Sequence, residues 1–389
     1  MNKEQLKQRL AQPGLLEERM AHLIRTLKAI QVEYEDASDI QFIGGDRIWV
    51  HENGKDLRTA HEVDDWTLLC WAEALGQERG GAVELAFGGA GTLEAAAKLA
   101  DVRLRMTWRR QHGEAGRLAL NARLLPVEPP SIESPRFKNN PVPQALVDLV
   151  MNNTSGLVLF EGPTGSGKST LQAALVNEVN KTQARHIYTL EDPIEFIHPS
   201  NMSLVSQREV HTDLDSFYQG LQTAKRSKPS IILIGELRDL QTKRAALESA
   251  GEGALVLATS HASGVSEALA TFIGAFPAEE QNDISQRLAV TLKGVVVQTL
   301  IPSADGKVVP VREMLTVDNI VSSMLRDRDT DLRGLMGSSA VKQSPGTFSK
   351  DDDLFELYRS GRITLETMEF YADRWAEIEA RLRQMGEVR

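Results

Sequence analysis

Hydrophobic positions along the chain follow two patterns, one before about residue 125 and one after about residue 144. The first part has helical periodicity in LKQRLAQPGLLEERMAHLIRTLKAI and alternation in DIQFIGGDRIWVHENGK, which predicts two strands joined through glycines. In the second part, short apolar runs alternate with longer helical stretches; the runs are GLVLFE, HIYTLE, SIILIGE, GALVLATS and GVVVQTL. That alternation predicts an α/β fold whose mostly parallel sheet is covered by helices on both faces.

These patterns predict four regions along the chain. A small α+β domain covers residues 1–125, and the proline-rich stretch LLPVEPPSIESPRFKNNPVP supplies a linker at residues 126–143. The α/β domain follows over residues 144–330. Residues 331–389 are predicted to be mainly helical, with DDDLFELYRSGRITLETMEFYADRWAEIEARLRQM as the clearest part.

A glycine-rich turn carries the clearest chemistry. The stretch GLVLFEGPTGSGKST joins an apolar strand to a helix and matches the pattern G-x-x-x-x-G-K-[ST]. Glycines let successive N–H groups converge on phosphate oxygens, the lysine supplies a positive charge, and the next hydroxyl is placed to ligate Mg²⁺. The sequence therefore predicts a site for ATP and Mg²⁺. Its residues are Gly162, Pro163, Thr164, Gly165, Ser166, Gly167, Lys168, Ser169 and Thr170, of which Ser169 is also a predicted metal ligand.

Polar groups follow three further apolar runs, in YTLEDPIEF, IILIGELRD and LVLATSH. Because ligands of open α/β sheets bind beyond the carboxyl ends of the strands, these groups are candidates for phosphoryl transfer to water. We expect Glu195 to activate the water, Glu236 to hold Mg²⁺ through its hydration shell, and His261 to sense the γ phosphate. The alternatives are a solvated surface acid for Glu236 and an ordinary polar histidine for His261.

Composition narrows the class of protein. The formal net charge is −10, which argues against broad binding of nucleic acid, and no apolar run approaches the length of a membrane span. The N-terminus is too polar for a signal peptide. We therefore expect a cytoplasmic protein without a direct nucleic-acid partner. The single cysteine, Cys70, excludes an intrachain disulfide and a cysteine-based zinc site.

Seven segments in order resemble the type II/type IV secretion ATPase superfamily, and within it the PilT-like pilus retraction ATPases. They are GPTGSGKST, LEDPIEFIH, SQREVHTDLDSF, IILIGELRDLQT, ATSHASG, FPAEEQ and VVVQTLI, and the resemblance covers most of residues 35–370. It implies a homo-hexameric ring whose subunits pair a PAS-like N-terminal domain with a RecA-like P-loop ATPase core. It also implies a partner, the inner-membrane platform protein of a pilus or secretion machine, through which the ring would be peripheral to the membrane.

The resemblance also implies roles for individual residues. Glu195 corresponds to the catalytic glutamate of the Asp box, Glu236 to the Walker B acid, and His261 to the second histidine of the His box. Arginines of the N-terminal domain reach the phosphates in this superfamily, and VRLRMTWRRQ and NARLLP resemble the segments that supply them. The candidates are Arg105, Arg110 and Arg123, with Arg109 as an alternative to Arg110. The other interpretation of each arginine is a pair with an acid on a solvated strand.

Departures from the retraction pattern keep three functions open. Ala254 stands where retraction ATPases have an earlier histidine, Gln222 stands at a usual arginine position, and NIVSSMLRDRDT replaces the usual C-terminal signature. The first hypothesis is a pilus retraction motor, and the second is a DotB- or TraJ-like ATPase for type IVB secretion or conjugative plasmid transfer. The third is a non-hydrolysing nucleotide-binding assembly subunit, against which the intact Glu195 and Glu236 argue.

Overall fold

The computed structural model divides the chain into two compact units, Met1–Val127 and Glu128–Arg389. It describes residues 3–34, 37–52, 55–75, 82, 85–86, 92–99, 102–110, 118–125, 128–138, 140–327 and 332–386. No helix in these ranges is both long enough and apolar enough to cross a bilayer.

The first unit combines helices with a six-stranded antiparallel sheet. Its described elements are α1 (Lys3–Leu10), α2 (Leu15–Glu33), β1 (Ala37–Ile43), β2 (Asp46–Glu52), β3 (Lys55–Val63), α3 (Asp65–Leu75), β4 (Thr92–Leu99), β5 (Val102–Arg110) and β6 (Leu118–Leu125). The strands pair in the order β3-β2-β1-β6-β5-β4. Alternate strand residues such as Phe42 and Val50 pack with Leu27 of α2 and Trp71 of α3 in one core. The α+β character predicted for this part of the chain is confirmed.

The second unit is built on a seven-stranded sheet. Its elements up to the last strand are α4 (Gln144–Asn152), β7 (Gly156–Glu161), α5 (Lys168–Thr182), β8 (His186–Glu191), β9 (Leu204–Glu209), α6 (Phe217–Ser227), β10 (Ile231–Ile234), α7 (Leu240–Gly251), β11 (Leu255–Thr259), α8 (Val265–Gly274), α9 (Gln281–Thr291), β12 (Leu292–Pro302) and β13 (Val308–Thr316). The order is β13-β12-β7-β11-β10-β8-β9, and every neighbouring pair is parallel except β12 with β13.

Both faces of this sheet are covered, as the continuous apolar runs predicted. Along β7, Leu157 and Leu159 belong to one core cluster, whereas Val158 and Phe160 belong to another. Because successive side chains of a strand point to opposite faces, the two clusters lie on opposite sides of the sheet. Helices α7, α8 and α9 contribute to the first cluster, and α4 and α5 contribute to the second. The predicted α/β class with a mostly parallel sheet is confirmed.

The segments that flank the α/β core are fixed to it. In the proline-rich stretch, the carbonyl oxygens of Pro129 and Pro130 accept from Asn177 Nδ2 at 3.3 and 3.0 Å. Residues 128–143, expected to form most of a linker, are therefore part of the second unit. The C-terminal region is helical, with α10 (Asn319–Arg326), α11 (Ser339–Lys342), α12 (Lys350–Arg359), α13 (Leu365–Tyr371) and α14 (Trp375–Met385). Residues of α12 and α14 pack against the ends of β12 and β13.

Candidate nucleotide-binding site

The P-loop, residues 162–169, begins where β7 ends and runs into the first turn of α5. Gly162, Gly165 and Gly167 have φ angles of 132°, 80° and 83°, in the region that side chains with a Cβ rarely adopt. A Cβ on Gly162 would also lie 2.1 Å from the carbonyl oxygen of Gln298 on β12. The glycines are therefore required by backbone conformation and by the close approach of the neighbouring strand.

Lys168 is the first residue of α5 and is buried at 9% exposure. Its Nζ donates to the carbonyl oxygens of Gly162 and Pro163 at 2.6 and 2.9 Å, so the side chain curls back along the loop. Burial lowers the pKa of Lys168, and the charges of three carboxylates oppose that shift; they are Glu161, Glu236 and Glu195. Ser169 and Thr170 follow half-buried in the first turn. The helix N-terminus adds unpaired N–H groups that favour an anion.

Hydrogen bonds tie three strand ends together beside the P-loop. Glu236, just after β10, contacts His261 Nε2 through Oε1 at 2.8 Å and accepts from Arg238 Nε through Oε2 at 2.6 Å. Arg238 also donates to Asp192, just after β8, at 2.9 Å. Burial would raise the pKa of Glu236, but the bonds from Arg238 and His261 outweigh it and the pKa is lowered. Glu236 is therefore held ionised and fixed in orientation.

The loop that carries Glu195 is anchored to β8 and β9. The half-buried carboxylate of Glu191 interacts with the backbone N–H of Glu195 and accepts from Gln207 Nε2 at 3.1 Å. Glu209 Oε2 accepts from the backbone N–H of Ile194 at 3.1 Å. Two carboxylates on neighbouring strands thus set the path of the loop. Glu195 lies close enough to Lys168 for its charge to raise the pKa of that lysine.

The candidate arginines lie on the sheet of the first unit. Arg105 of β5 and Arg123 of β6 are direct cross-strand partners, so they share one sheet face. Arg109 shares the parity of Arg105, whereas Arg110 has the parity of the buried residues of β5. Arg110 donates to the carbonyl oxygen of Ala86 at 3.1 Å. The register therefore favours Arg109 over Arg110 as a companion of Arg105 and Arg123.

Arg123 also makes the ion pair that the alternative interpretation proposed. Its Nε donates to Asp39 Oδ1 at 2.9 Å, across the neighbouring strand β1. The Arg123 side chain is 54% exposed, so this pair contributes little to stability. A surface pair of this kind can exchange one acidic partner for another at small cost.

Two residues of the cluster, Glu161 and Arg238, were not predicted from the sequence to be functional groups. Glu161, the last residue of β7, is 2% exposed, and its Oε2 accepts from the backbone N–H of Ala262 at 2.9 Å. Burial raises the pKa of Glu161 to about 7. Arg238 is the arginine of GELRD, and no function was predicted for it. The available signals were an acid directly before the first P-loop glycine and an arginine two residues after Glu236.

Ala254 lies at the other end of its strand from the site. It directly precedes β11 and is buried, whereas His261 follows the carboxyl end of β11. A strand rises by about 3.3 Å per residue, so the two positions are roughly 20 Å apart. The residue at position 254 therefore has no contact with the groups around Glu236.

The parallel sheet, the P-loop and the acidic cluster together define the class of protein. Residues 94–338, more than half of the chain, match the family described as type II/IV secretion system protein, so the chain belongs to that family. The resemblance inferred from the sequence motifs is confirmed. Among curated relatives, the twitching motility protein of Neisseria gonorrhoeae is 38% identical over 219 residues, which is 56% of this chain and 58% of the relative.

Solved structures extend the similarity over nearly the whole chain. A crystal structure of the pilus retraction motor PilT with bound ADP is 29% identical, with a TM-score of 0.79, and covers 92% of this chain and 98% of that one. The ATPase DotB of Legionella pneumophila is 26% identical, with a TM-score of 0.76, and covers 91% of this chain and 94% of that one. By sequence, the matches span 50% to 62% of the length of the first curated relatives.

Proposed function

We propose that the protein is an ATP-hydrolysing motor that powers retraction of a type IV pilus. The observation that carries this proposal is the meeting of Lys168, at the start of α5, with Glu236 and Glu195 from two other strand ends. A phosphate-binding lysine with two carboxylates opposite is what attack of water on a γ phosphate requires. The similarity to a retraction motor with bound ADP and to a twitching motility protein supports the choice of nucleotide and machine.

The residues present fit Mg²⁺ as well as the nucleotide. Mg²⁺ prefers hard oxygen ligands, keeps several waters, and is usually bound through one or two protein groups together with substrate phosphates. Ser169 supplies a hydroxyl and Glu236 an ionised carboxylate, and no larger cluster of metal-binding side chains occurs in the described ranges. When bound, Mg²⁺ would neutralise charge on the β and γ phosphates, with Ser169 as ligand and Glu236 acting through its water.

The remaining residues take roles that follow from their positions. Glu195 orients and deprotonates the attacking water, because its carboxylate lies close enough to the phosphate-binding Lys168 for its charge to raise the pKa of that lysine. His261, hydrogen-bonded to Glu236, senses the γ phosphate. By the resemblance to secretion ATPases, Arg105 and Arg123 with Arg109 are the candidates for stabilising the charge that develops on the phosphates. In a ring of six subunits, conformational changes coupled to ATP turnover at successive sites would drive directional motion.

A second candidate within the same family is a DotB-like ATPase of a secretion or conjugation system. The structural similarity to DotB is close to that with the retraction motor, with TM-scores of 0.76 and 0.79. Both candidates need the same hydrolytic site and a homo-hexamer. They differ in the inner-membrane platform protein that would recruit the ring, so co-purification with a pilus platform distinguishes them.

The experiment that tests the motor compares magnesium-dependent ATP turnover of the wild type and Glu195→Gln, with native mass measured on the same samples. We expect a six-subunit ring in both, and at least a 100-fold lower turnover in the variant, because an amide cannot accept the proton of water. Glu252→Gln, at the opposite end of the sheet, is the matched control and should turn over normally. Equal turnover in wild type and Glu195→Gln would reject the role of Glu195, and a ring that binds ATP without turnover would indicate an assembly subunit.

A further inference from the structure

A buried amide on β12 contacts the P-loop without belonging to the predicted site. Gln298 Nε2 donates to the carbonyl oxygen of Ser166 at 2.7 Å, and its Oε1 accepts from Arg312 Nε at 2.8 Å. Gln298 and Ser166 are 3% and 2% exposed. A buried side-chain amide with both ends satisfied is rigid, because rotating it would break both hydrogen bonds without water to replace them.

This contact determines the direction of one N–H group of the loop. In a trans peptide the C=O and the next N–H point in opposite directions. Since the carbonyl of Ser166 points at Gln298, the N–H of Gly167 points away from it. Gln298 also limits the loop sterically, because a Cβ on Gly162 would meet its carbonyl oxygen at 2.1 Å and one on Gly167 would meet its Nε2 at 3.0 Å.

Arg312 fixes which end of the Gln298 amide faces the loop. A guanidinium has only donors, so its Nε requires the carbonyl end of Gln298 and leaves the NH₂ end for Ser166. Reversing the amide would set donor against donor at Arg312 and acceptor against acceptor at Ser166. Arg312 is 1% exposed, and burial lowers its pKa to about 10, so the guanidinium keeps its charge at neutral pH.

Arg312 is held in turn by two segments distant in the sequence. Its Nη1 donates to the carbonyl oxygen of Pro141 at 2.9 Å and to that of Asn140 at 3.3 Å. Its backbone N–H donates at 2.7 Å to Asp353 of α12, whose carboxylate also accepts from Asn140 Nδ2 at 3.1 Å. The loop is therefore linked through two side chains to the proline-rich stretch and to the C-terminal helices.

We propose that Gln298 and Arg312 are positioning residues for the nucleotide: they hold the Ser166–Gly167 peptide so that the Gly167 N–H donates to a phosphate oxygen. Gln298 acts on the peptide directly, and Arg312 acts through Gln298. This inference rests on the proposed nucleotide-binding function. It adds two residues, outside the P-loop and the acidic cluster, on which phosphate affinity depends.

The test measures the dissociation constant for ADP, which requires no turnover, together with urea unfolding of each variant. Gln298→Met keeps the length of the side chain and removes the donor to Ser166. We expect ADP to bind about 10- to 100-fold more weakly, the value of one oriented hydrogen bond to a charged group. Asn177→Ala is the matched control, since it also removes a buried amide that donates to backbone carbonyls. It should lose stability but keep its ADP affinity.

A double-variant cycle tests the role of Arg312. Arg312→Met should weaken ADP binding as Gln298→Met does, and the double variant should be no weaker than either single variant, because both remove the same orientation of one peptide. Additive losses would contradict action through Gln298. If the wild type binds ADP and folded Gln298→Met binds it equally well, the positioning role is wrong while the proposed function stands. Failure of the wild type itself to bind ADP would reject the proposed function.

Discussion

Each of the two ends of the parallel sheet carries a charged site, and only one of the two has the chemistry of a nucleotide site. At the amino ends lies a cavity of about 630 Å³ lined by Thr154, Arg185, Lys225, Lys228, Pro229, Ser230, Ile232, Ser249, Glu252, Gly253 and Ala254. At the carboxyl ends lie the P-loop and the acidic cluster. By its basic side chains alone, the amino-end cavity would be the stronger candidate for an anion.

The difference lies in how the charges are satisfied. Lys225 is paired with Glu248 and Glu252 at 3.2 and 3.3 Å, and Arg185 donates at 2.7 Å to the carbonyl oxygen of Met151. The charge of Lys225 is therefore neutralised by two carboxylates of the fold, and Arg185 is hydrogen-bonded to its backbone. At the carboxyl ends, Lys168 donates to two backbone carbonyls of its own loop, and no ion pair of Lys168 with a carboxylate occurs within the described part of the chain. Charge pairing and loop conformation, rather than cavity volume, distinguish a binding site from a structural one.

Replacing one lysine at each end of the sheet by alanine tests this comparison and has the largest expected effect on ATP affinity. Lys168→Ala should weaken ATP binding by about 10²- to 10³-fold, or about 3–4 kcal/mol, because it removes the charge aimed at the phosphates. Lys225→Ala, which removes a lysine from the amino-end cavity, should leave the affinity unchanged. Titration with a fluorescent ATP analogue in the presence of Mg²⁺ measures both. A comparable loss in Lys225→Ala would show that the amino-end cavity binds the nucleotide.

The next prediction concerns Glu161, the buried acid at the carboxyl end of β7. Glu161→Gln tests whether this acid changes the stability of the protein with pH. The folded pKa of Glu161, about 7, is above its ordinary value of 4.5, so folding favours the protonated form. The resulting stabilisation is complete below pH 4.5 and is lost as the pH rises to 7. Lys168, His261 and Lys243 face the carboxylate and oppose the shift.

The glutamine variant cannot ionise and can still accept from the N–H of Ala262. Its stability relative to the wild type should therefore increase by about 2–3 kcal/mol between pH 5 and pH 8. Urea unfolding of the two proteins at both pH values measures this difference. A constant difference across the range would mean that Glu161 does not titrate there. Glu267→Gln, an exposed acid near the same loop, is the control and should show no such increase.

Much of this site was predictable because its signals are local. The P-loop glycines need positive φ angles, and an apolar run followed by that loop and a helix is visible in consecutive residues. That Glu195, Glu236 and His261 end neighbouring strands follows from the βα alternation, since parallel strands present their carboxyl ends at one edge. Their individual roles were predicted from the chemistry of phosphoryl transfer to water, and the resemblance to a family assigns the same residues to its catalytic glutamate, Walker B acid and His box.

The residues of the site that were not predicted acquire their contacts through pairing between segments distant in the sequence. Arg238 contacts Asp192 only because the ends of β8 and β10 are adjacent. Gln298 is recognisable only once β12 lies beside β7, 132 positions from its partner Ser166. The choice between Arg109 and Arg110 required the register of β5 and β6. Such contacts follow from tertiary structure, which a single sequence does not specify locally.

Ala254→His has the smallest expected effect. It tests whether a substitution at the amino ends of the strands changes ATP turnover at the carboxyl ends. The substitution restores the residue type that the retraction pattern has at this position, beside a cavity with room for an imidazole. Because the position is roughly 20 Å along β11 from the cluster around Glu236, we expect ATP turnover within about twofold of the wild type. Steady-state turnover at saturating ATP and Mg²⁺ measures it, with Ala254→Gln as a control of similar size without a titratable ring. A change of tenfold specific to the histidine would couple the two ends of the sheet, and the amino-end cavity would then be part of the motor rather than a structural feature of the fold.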